Sequence, residues 1–425
     1  MTVTELRKKI LDGGFSDSFQ LLYGNKEEAA KRYVFACDRF VEYFGDSDNA
    51  ELFSAPGRTE VGGNHTDHQH GCVLAGSVNL DVIAVAAKNN SNKVRIKSEG
   101  FEMDEIDLND LVVNKDEYGK SAALIRGMCE GLKKKGFKIG GFDAFTTSNV
   151  LKGSGLSSSA AFEVLVGFII SGLYNDDSIS AVEIAKTAQY AENVFFGKPC
   201  GLMDQMASAI GGFTAIDFAD VTNPVVEKVD FDLTSKNYSL CIVNTGGSHA
   251  DLTNDYADIT AECKSVSKVF GKEYLREVDP KEFYSNLPRV RSKCNDRAVL
   301  RAMHFFADNE RAIKEKEALK SGQFDAFLKL VNESGNSSFK YLQNVFSVSC
   351  YKEQGISLAL ALTERFLNGR GACRVHGGGF AGTIQVFIPN DMLEDYKLYI
   401  ESVFGQGSCY VLNIRPIGGY HLKAN

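Results

Sequence analysis

Arg58 lies in the segment APGRTEVGGNHTDHQHG (residues 55–71), and Asp204 lies in AENVFFGKPCGLMDQMAS (residues 191–208). In a glycine-rich loop the backbone approaches a ligand closely, and polar groups such as Arg58 and Asp67 can converge on hydroxyls. A partly buried carboxylate beside an arginine serves as an acid–base group or orients a hydroxyl nucleophile. Each residue also has a plainer reading: Arg58 with Asp67 as a structural ion pair, and Asp204 as the cap of a helix beginning near Gln205.

A third segment, LKGSGLSSSAAFEVLVG (residues 151–167), sets two glycines and three consecutive serines ahead of an apolar run. Serine is a preferred N-cap, and a glycine-rich turn feeding a helix N-terminus offers free N–H groups and a dipole to an anion. A tight turn before a capped core helix explains the same residues without a ligand. The spacing is neither that of a P-loop nor that of the dinucleotide fingerprint. A fourth segment, HGGGFAG (residues 376–382), could supply an esterase oxyanion hole, but the chain has no G-x-S-x-G nucleophile elbow to accompany it. His65, His68 and His70 suggest zinc, yet their spacing fits no common ligand pattern and the cysteines are distant in sequence.

The elements that must position these residues follow from periodicity. Apolar side chains at Ala30, Val34, Cys37, Phe40, Val41 and Phe44 predict an amphipathic helix over 26–44, stopped by Gly45. Strands are predicted over 71–87 and, by alternation, over 94–111; helices over 121–135, 158–173 and 180–195. After Gly211-Gly212 the polar stretch 220–237 is the expected domain seam. Beyond it come a buried-type strand at 240–244, a mostly helical region to Leu367, and strands at 383–388 and 410–414. Strands and helices mix without a regular βαβ beat, which predicts an α+β protein.

The chain has 425 residues, enough for two domains, divided here as 1–220 and 221–425. Its net charge of −8 argues against a nucleic-acid partner held by a global basic face. Ten cysteines in a chain with a charged, non-secretory first segment are expected to be reduced thiols. The longest apolar run, around residues 164–173, is too short to span a bilayer. These features predict a cytoplasmic protein with no membrane partner; the oligomeric state is not legible.

Taken in order, residues 55–71, 151–161 and 375–382 resemble the three signature motifs of the GHMP small-molecule kinases, and residues 191–205 and 332–350 resemble segments of the galactokinase branch. The resemblance runs from about residue 50 to the C-terminus and leaves an N-terminal extension of about 30 residues without a role. It implies two domains with the active site in the cleft between them, and a sugar 1-kinase that transfers the γ-phosphoryl of ATP to the anomeric hydroxyl of galactose. Gly153, Ser154, Gly155, Leu156, Ser157, Ser158 and Ser159 would form the ATP phosphate loop. Ser159 and Glu192 would hold Mg²⁺, which prefers hard oxygen ligands. Asp204 would take or orient the proton of the anomeric hydroxyl, and Arg58 would keep Asp204 ionised and stabilise the phosphoryl group in flight. Asn64, His65, Asp67, Gly201 and Tyr256 match the sugar contacts, and Gly377 to Gly379 match the motif that supports the site from the second domain.

The chain departs from the pattern at the sugar. Asn64 stands where the branch has a glutamate directed at the C6 hydroxyl, Glu60 stands where it has asparagine, and Asp67-His68 replaces Asp-Tyr, as in the galacturonate kinases. Leu151-Lys152 replaces a Pro-bearing approach to the phosphate loop, and ADITAEC replaces an arginine-rich run after Tyr256. Galacturonate or another sugar is therefore an alternative acceptor. A non-catalytic sugar- and ATP-dependent regulatory binder is the alternative of a different class.

Overall fold

The computed structural model describes residues 1–150, 155–198, 200–247 and 252–425. Three helices open the chain: α1 (Val3–Leu11), α2 (Ser16–Tyr23) and α3 (Lys26–Phe44). The helix expected over 26–44 is α3. Asn25 caps it by accepting from the Glu28 N–H, and Ala29, Tyr33, Ala36, Cys37 and Phe40 form its buried face.

Strands β1 (Glu51–Gly62), β2 (Cys72–Lys88), β3 (Lys93–Ser98), β4 (Met103–Asp107), β5 (Phe142–Ser148), β6 (Phe213–Asp217) and β7 (Val225–Val229) share one sheet. β2 is long enough to pair antiparallel with β1, with β5 through residues 82–88 and with β6 through residues 72–76. The alternation over 94–111 resolves into two strands, because residues 99–102 turn the chain back and β4 pairs antiparallel with β3. β3 lies parallel to β5.

The sheet is buried on both faces, which is why β2 reads as a nearly unbroken apolar run. Val82, Ala84 and Ala86 face a core shared with α4 (Ser121–Lys134), α5 (Ser158–Asn175), α6 (Ala181–Tyr190) and α7 (Met203–Ile210). The alternate residues Ile83, Val85 and Ala87 face α1 to α3 on the other side. The N-terminal helices thus cover part of one face of the first sheet, over β1, β2, β5 and the C-terminal residue Leu422. Around the apolar run 164–173, α5 extends to Ser158–Asn175, long and apolar enough to cross a membrane, but it packs into this core. The helix expected over 180–195 is α6 followed by a π-helical turn, Ala191–Phe196.

A second antiparallel sheet holds β8 (Tyr238–Asn244), β9 (Ala372–Val375), β10 (Thr383–Pro389) and β11 (Cys409–Leu412) in the order β11-β8-β10-β9. Of the remaining helices, α12 (Phe324–Ser337), α13 (Gly355–Leu367) and α14 (Leu393–Phe404) pack on this sheet, whereas α11 (Asp296–Lys320) packs on β2 of the first sheet and shares a separate core with α8 (Thr253–Val269), α9 (Pro280–Ser285) and α10 (Leu287–Lys293). The mixture of mainly antiparallel sheets and packed helices is α+β. Two observations bear on the division at residue 220. β7 lies past it yet pairs with β6 in the first sheet, and the last strand, β12 (Tyr420–Leu422), returns to that sheet beside β1. All ten cysteines carry free thiols.

Candidate active site

The pairing of β1 with β2 shifts register between Pro56 and Arg58, an irregularity of the kind that re-aims a side chain. From there the Arg58 guanidinium reaches Asp204 in the first turn of α7. Its Nε donates to Asp204 Oδ1 at 2.7 Å and its Nη2 to Oδ2 at 2.8 Å, a bidentate fork, while Nη1 donates to the Gly155 carbonyl. The Ser157 hydroxyl also donates to Asp204 Oδ2. Burial pushes the Asp204 carboxyl up, but the Arg58 charge and these hydrogen bonds outweigh it and hold the group below the usual carboxylate range. The Asp204 side chain keeps 32% of its surface exposed, so the ion pair is open to a ligand.

Asp204 therefore is not the cap of its helix: the residue before α7 is Leu202, with no side-chain cap. Nor does Ser157 cap α5 through its hydroxyl, as the serine run suggests. It sits in the left-handed region at φ 55° with no capping bond, and its hydroxyl is spent on Asp204. The start of α5 keeps N–H groups that no side-chain cap occupies. Gly155, Leu156, Ser158 and Ser159 adjoin this turn; Gly153 and Ser154 of the expected phosphate loop lie outside the described residues.

Ser159, in the first turn of α5, places its hydroxyl 3.4 Å from Glu192 Oε1. Glu192 is turned inward where α6 widens into its π-helical turn, a feature frequent at functional sites. Gln205 Nε2 donates to Glu192 Oε2 at 2.8 Å and approaches Glu163 Oε2 at 3.4 Å. Glu163, one turn after Ser159 on α5, is wholly buried and its Oε1 has no partner among the described residues. Burial, with Glu192 beside it, pushes the Glu163 carboxyl well above the usual carboxylate range. The sequence reading missed Glu163 and Gln205; an acid and an amide on apolar helix faces were the only signal. Among the described residues no group of three His, Cys, Asp or Glu is arranged around a metal, so His65, His68 and His70 do not form a zinc site.

The expected sugar contacts divide into two kinds. Three are tied to successive carbonyls of the glycine run. Asn64 Nδ2 donates to Gly377 O at 2.8 Å, His65 Nε2 to Gly378 O at 2.9 Å, and Tyr256 Oη to Gly379 O at 2.9 Å. Gly379 is required there, since a Cβ would lie 2.0 Å from the Asn344 carbonyl and its φ is +78°. Burial and the neighbouring His68 push His65 down to about 4, so its imidazole is neutral at physiological pH. Burial raises the Tyr256 phenol to about 12.

Asn64 is fully buried and its amide is saturated. It also donates to Glu60 Oε1 at 2.7 Å and accepts from Ser338 Oγ at 3.1 Å and Asn344 Nδ2 at 2.8 Å. Its hydrogen-bonding capacity is thus used inside the protein. Glu60 holds Arg374 at 2.8 Å, and burial, only partly offset by that guanidinium, raises Glu60 to about 7. Glu60 showed in the sequence only as a departure from the family pattern, and Arg374, Ser338 and Asn344 did not stand out as site residues, because they reach Glu60 and Asn64 from the far end of the chain.

Asp67 and Gly201 are of the second kind. Asp67 keeps 11% of its side chain exposed, its nearest basic atom is His68 Nε2 at 4.0 Å, and no donor among the described residues bonds its carboxylate. Gly201 presses against it: a Cβ would lie 2.5 Å from Asp67 Oδ2. An enclosed carboxylate without a donor is an acceptor for hydroxyls of a ligand. His376 of the HGGG run is buried, hydrogen-bonded to Thr59 Oγ1 and Thr383 Oγ1 at 3.0 Å each, and acts as a post between β1 and β10, not as part of an oxyanion hole.

Residues 123–212 match the family model of the GHMP kinases N terminal domain, and residues 38–88 match the galactokinase galactose-binding signature. The galactokinase of Lactococcus lactis, solved in complex with galactose, superposes with a TM-score of 0.77 at 25% identity, over 91% of this chain and 98% of its own. The chain is a GHMP kinase. The mevalonate kinase of Methanococcus jannaschii shares the fold at 14% identity and a TM-score of 0.61, over 86% of this chain and 99% of its own. So does the D-glycero-D-manno-heptose 1-phosphate kinase of Bacteriodes thetaiotaomicron, at 17% identity and a TM-score of 0.57, over 88% and 99%. Both family matches cover residues of this GHMP kinase described above: Arg58 and Asp67 in one, Ser157 and Asp204 in the other.

Proposed function

We propose that this kinase transfers the γ-phosphoryl group of ATP to the anomeric hydroxyl of galactose. The observation that carries the reading is the Arg58–Asp204–Ser157 cluster at the start of α5, with the Asp67 carboxylate, to which no described residue donates, beside Gly201. The first suits a phosphoryl group and an attacking hydroxyl, the second a polyhydroxylated ligand. The galactose-binding signature over residues 38–88 and the galactokinase likeness support galactose as that ligand.

In this reading the free N–H groups at the start of α5 receive the phosphates. Asp204 is held charged by Arg58, which makes it a weak base, so its first task is to accept a hydrogen bond from the sugar hydroxyl and aim its oxygen. In a loose phosphoryl-transfer transition state the hydroxyl proton departs late, and Asp204 is placed to receive it. Arg58 lies beside both groups and offsets the charge gathering on the phosphoryl oxygens. Asp67 fixes the ring by accepting from its hydroxyls, and the wall made by Asn64, His65 and Tyr256 on the glycine run closes the cleft behind it. Ser159 and Glu192 suit a Mg²⁺ ion: two hard oxygen ligands 3.4 Å apart, beside a buried carboxyl oxygen that lacks a partner among the described residues. Such an ion supplies neutralisation of phosphate charge when bound. The ten free thiols support a reducing, cytoplasmic setting.

The test is ADP release from Mg-ATP with a panel of free sugars, galactose and galacturonate first, in the wild type and in Asp204→Ala. Turnover on galactose that falls about 10²- to 10⁴-fold in the variant is expected. Turnover on galacturonate alone would transfer the reading to a uronic acid, with exposed His68 as the group facing the acceptor. Sugar binding by calorimetry without ADP release would replace the enzyme with a regulatory binder.

A further inference from the structure

The loop between β1 and β2 presents Asp67, and it holds backbone that it would not keep alone. His65 and His70 both lie in the left-handed region, at φ 60° and 61°. A residue with a Cβ keeps that conformation only where its surroundings impose it. Here the surroundings are α11, from the other half of the chain. Two of its side chains, one turn apart, take both main-chain groups of Asn64, where the loop leaves β1. Asp308 Oδ2 accepts from the Asn64 N–H at 2.8 Å, and His304 Nε2 donates to the Asn64 carbonyl at 2.9 Å. A carbonyl only accepts, so Nε2 carries the proton and Nδ1 accepts from the Ser337 hydroxyl at 2.9 Å. Burial pushes His304 down, in keeping with a neutral ring. The next residue after Asp308 takes the far end of the loop: Asn309 Oδ1 accepts from the Cys72 N–H at 2.7 Å and from Arg276 Nη1 at 3.1 Å.

Thr66 closes the frame from inside. Its hydroxyl donates to the Cys72 carbonyl at 2.7 Å, and its own carbonyl accepts from the Gly71 N–H at 2.8 Å. One helix thus grips the loop at both ends, with Asp67 between them. We infer that His304, Asp308 and Asn309 of α11 are positioning residues for the sugar: by holding Asn64 and Cys72 they fix where the Asp67 carboxylate stands, and so set the affinity for the acceptor. This rests on reading Asp67 as a sugar contact. His304 and Asp308 lie beneath the loop, 1% and 0% exposed, and act through it. A carboxylate displaced by about 1 Å loses the hydrogen-bond geometry that orients a hydroxyl. The Arg58–Asp204–Ser157 cluster is held by its own bonds, so the effect falls on the sugar and not on ATP.

The experiment is steady-state kinetics with Mg-ATP and galactose, and calorimetry of galactose binding, on His304→Ala, His304→Gln, Asn309→Ala and Asn309→Asp, with Asp67→Ala beside them. Glutamine restores an N–H donor at 304 and aspartate an acceptor at 309, which separates the bond from the bulk of the side chain. Asn309 is only partly buried, so its variants keep the test open if those at 304 do not fold; melting temperature reports on both. His304→Ala and Asn309→Ala are expected to raise KM and Kd for galactose about tenfold while KM for ATP stays within about twofold, and the Gln and Asp forms to recover most of the loss. Equal shifts in both KM values, or a lower melting temperature with galactose affinity unchanged, would overturn the inference. If Asp67→Ala leaves galactose affinity unchanged, the sugar-site reading itself fails. If Asp67→Ala weakens it and the alanine variants of α11 do not, only the role of α11 fails.

Discussion

At residue 64 the sequence shows a neutral amide where the resemblance expects an acid, and the structure shows where the acid went. Asn64 and Glu60 are hydrogen-bonded at 2.7 Å, and Glu60 in turn holds Arg374 at 2.8 Å. A carboxylate sits four residues earlier, between Asn64 and Arg374. That arrangement was not legible, because Ser338, Asn344, Gly377 and Arg374 reach Asn64 and Glu60 only through the fold. Arg58 and Asp204 were legible as a pair through their motifs alone; their bidentate geometry was not. Replacing Asn64 by Asp sets a second carboxylate oxygen against Glu60 and the Gly377 carbonyl and deletes both donors. The expected loss is about 3 kcal/mol of stability, read from urea unfolding of Asn64→Asp beside the wild type. An unchanged midpoint would mean that the amide is not satisfied as described.

At the scale of elements, the turn between the π-helical segment and α7 brings Gly201 against Asp67 and Asp204 against Arg58. Periodicity announced α3, α4, α5 and α6 because each has a buried stripe. It could not announce the π-helical turn, since one widened turn leaves the apolar pattern nearly intact, nor the reversal between β3 and β4, since alternation continues on either side. The identity of residue 201 matters through this packing. Gly201→Ala puts a methyl group where Asp67 Oδ2 now lies, so the carboxylate must move. KM for galactose is expected to rise about tenfold with KM for ATP unchanged, a cost of about 1.4 kcal/mol. Equal effects on both substrates would place the damage in α7 as a whole.

For the whole molecule, the α+β class and the order of motifs were legible in the sequence, but the path between domains was not. β7 carries few buried side chains and lies in a polar stretch, so it read as linker. β12 has three residues, too few for a pattern. Yet β12 seals the edge of the first sheet, and Arg415 just before it is one of the two guanidinium groups on Asp81. Deleting residues 415–425 is expected to abolish the cooperative melt of the protein, whereas a chain that still melts normally would show that β1 needs no partner there. The pairing of Leu52 with Leu422 also orders events in time. During synthesis Leu52 leaves the ribosome well before Leu422, which emerges only after every strand of the second sheet. The sheet begun first is thus the one completed last, and a nascent chain must hold an open sheet edge until then, which makes that edge the place where chaperones and self-association compete.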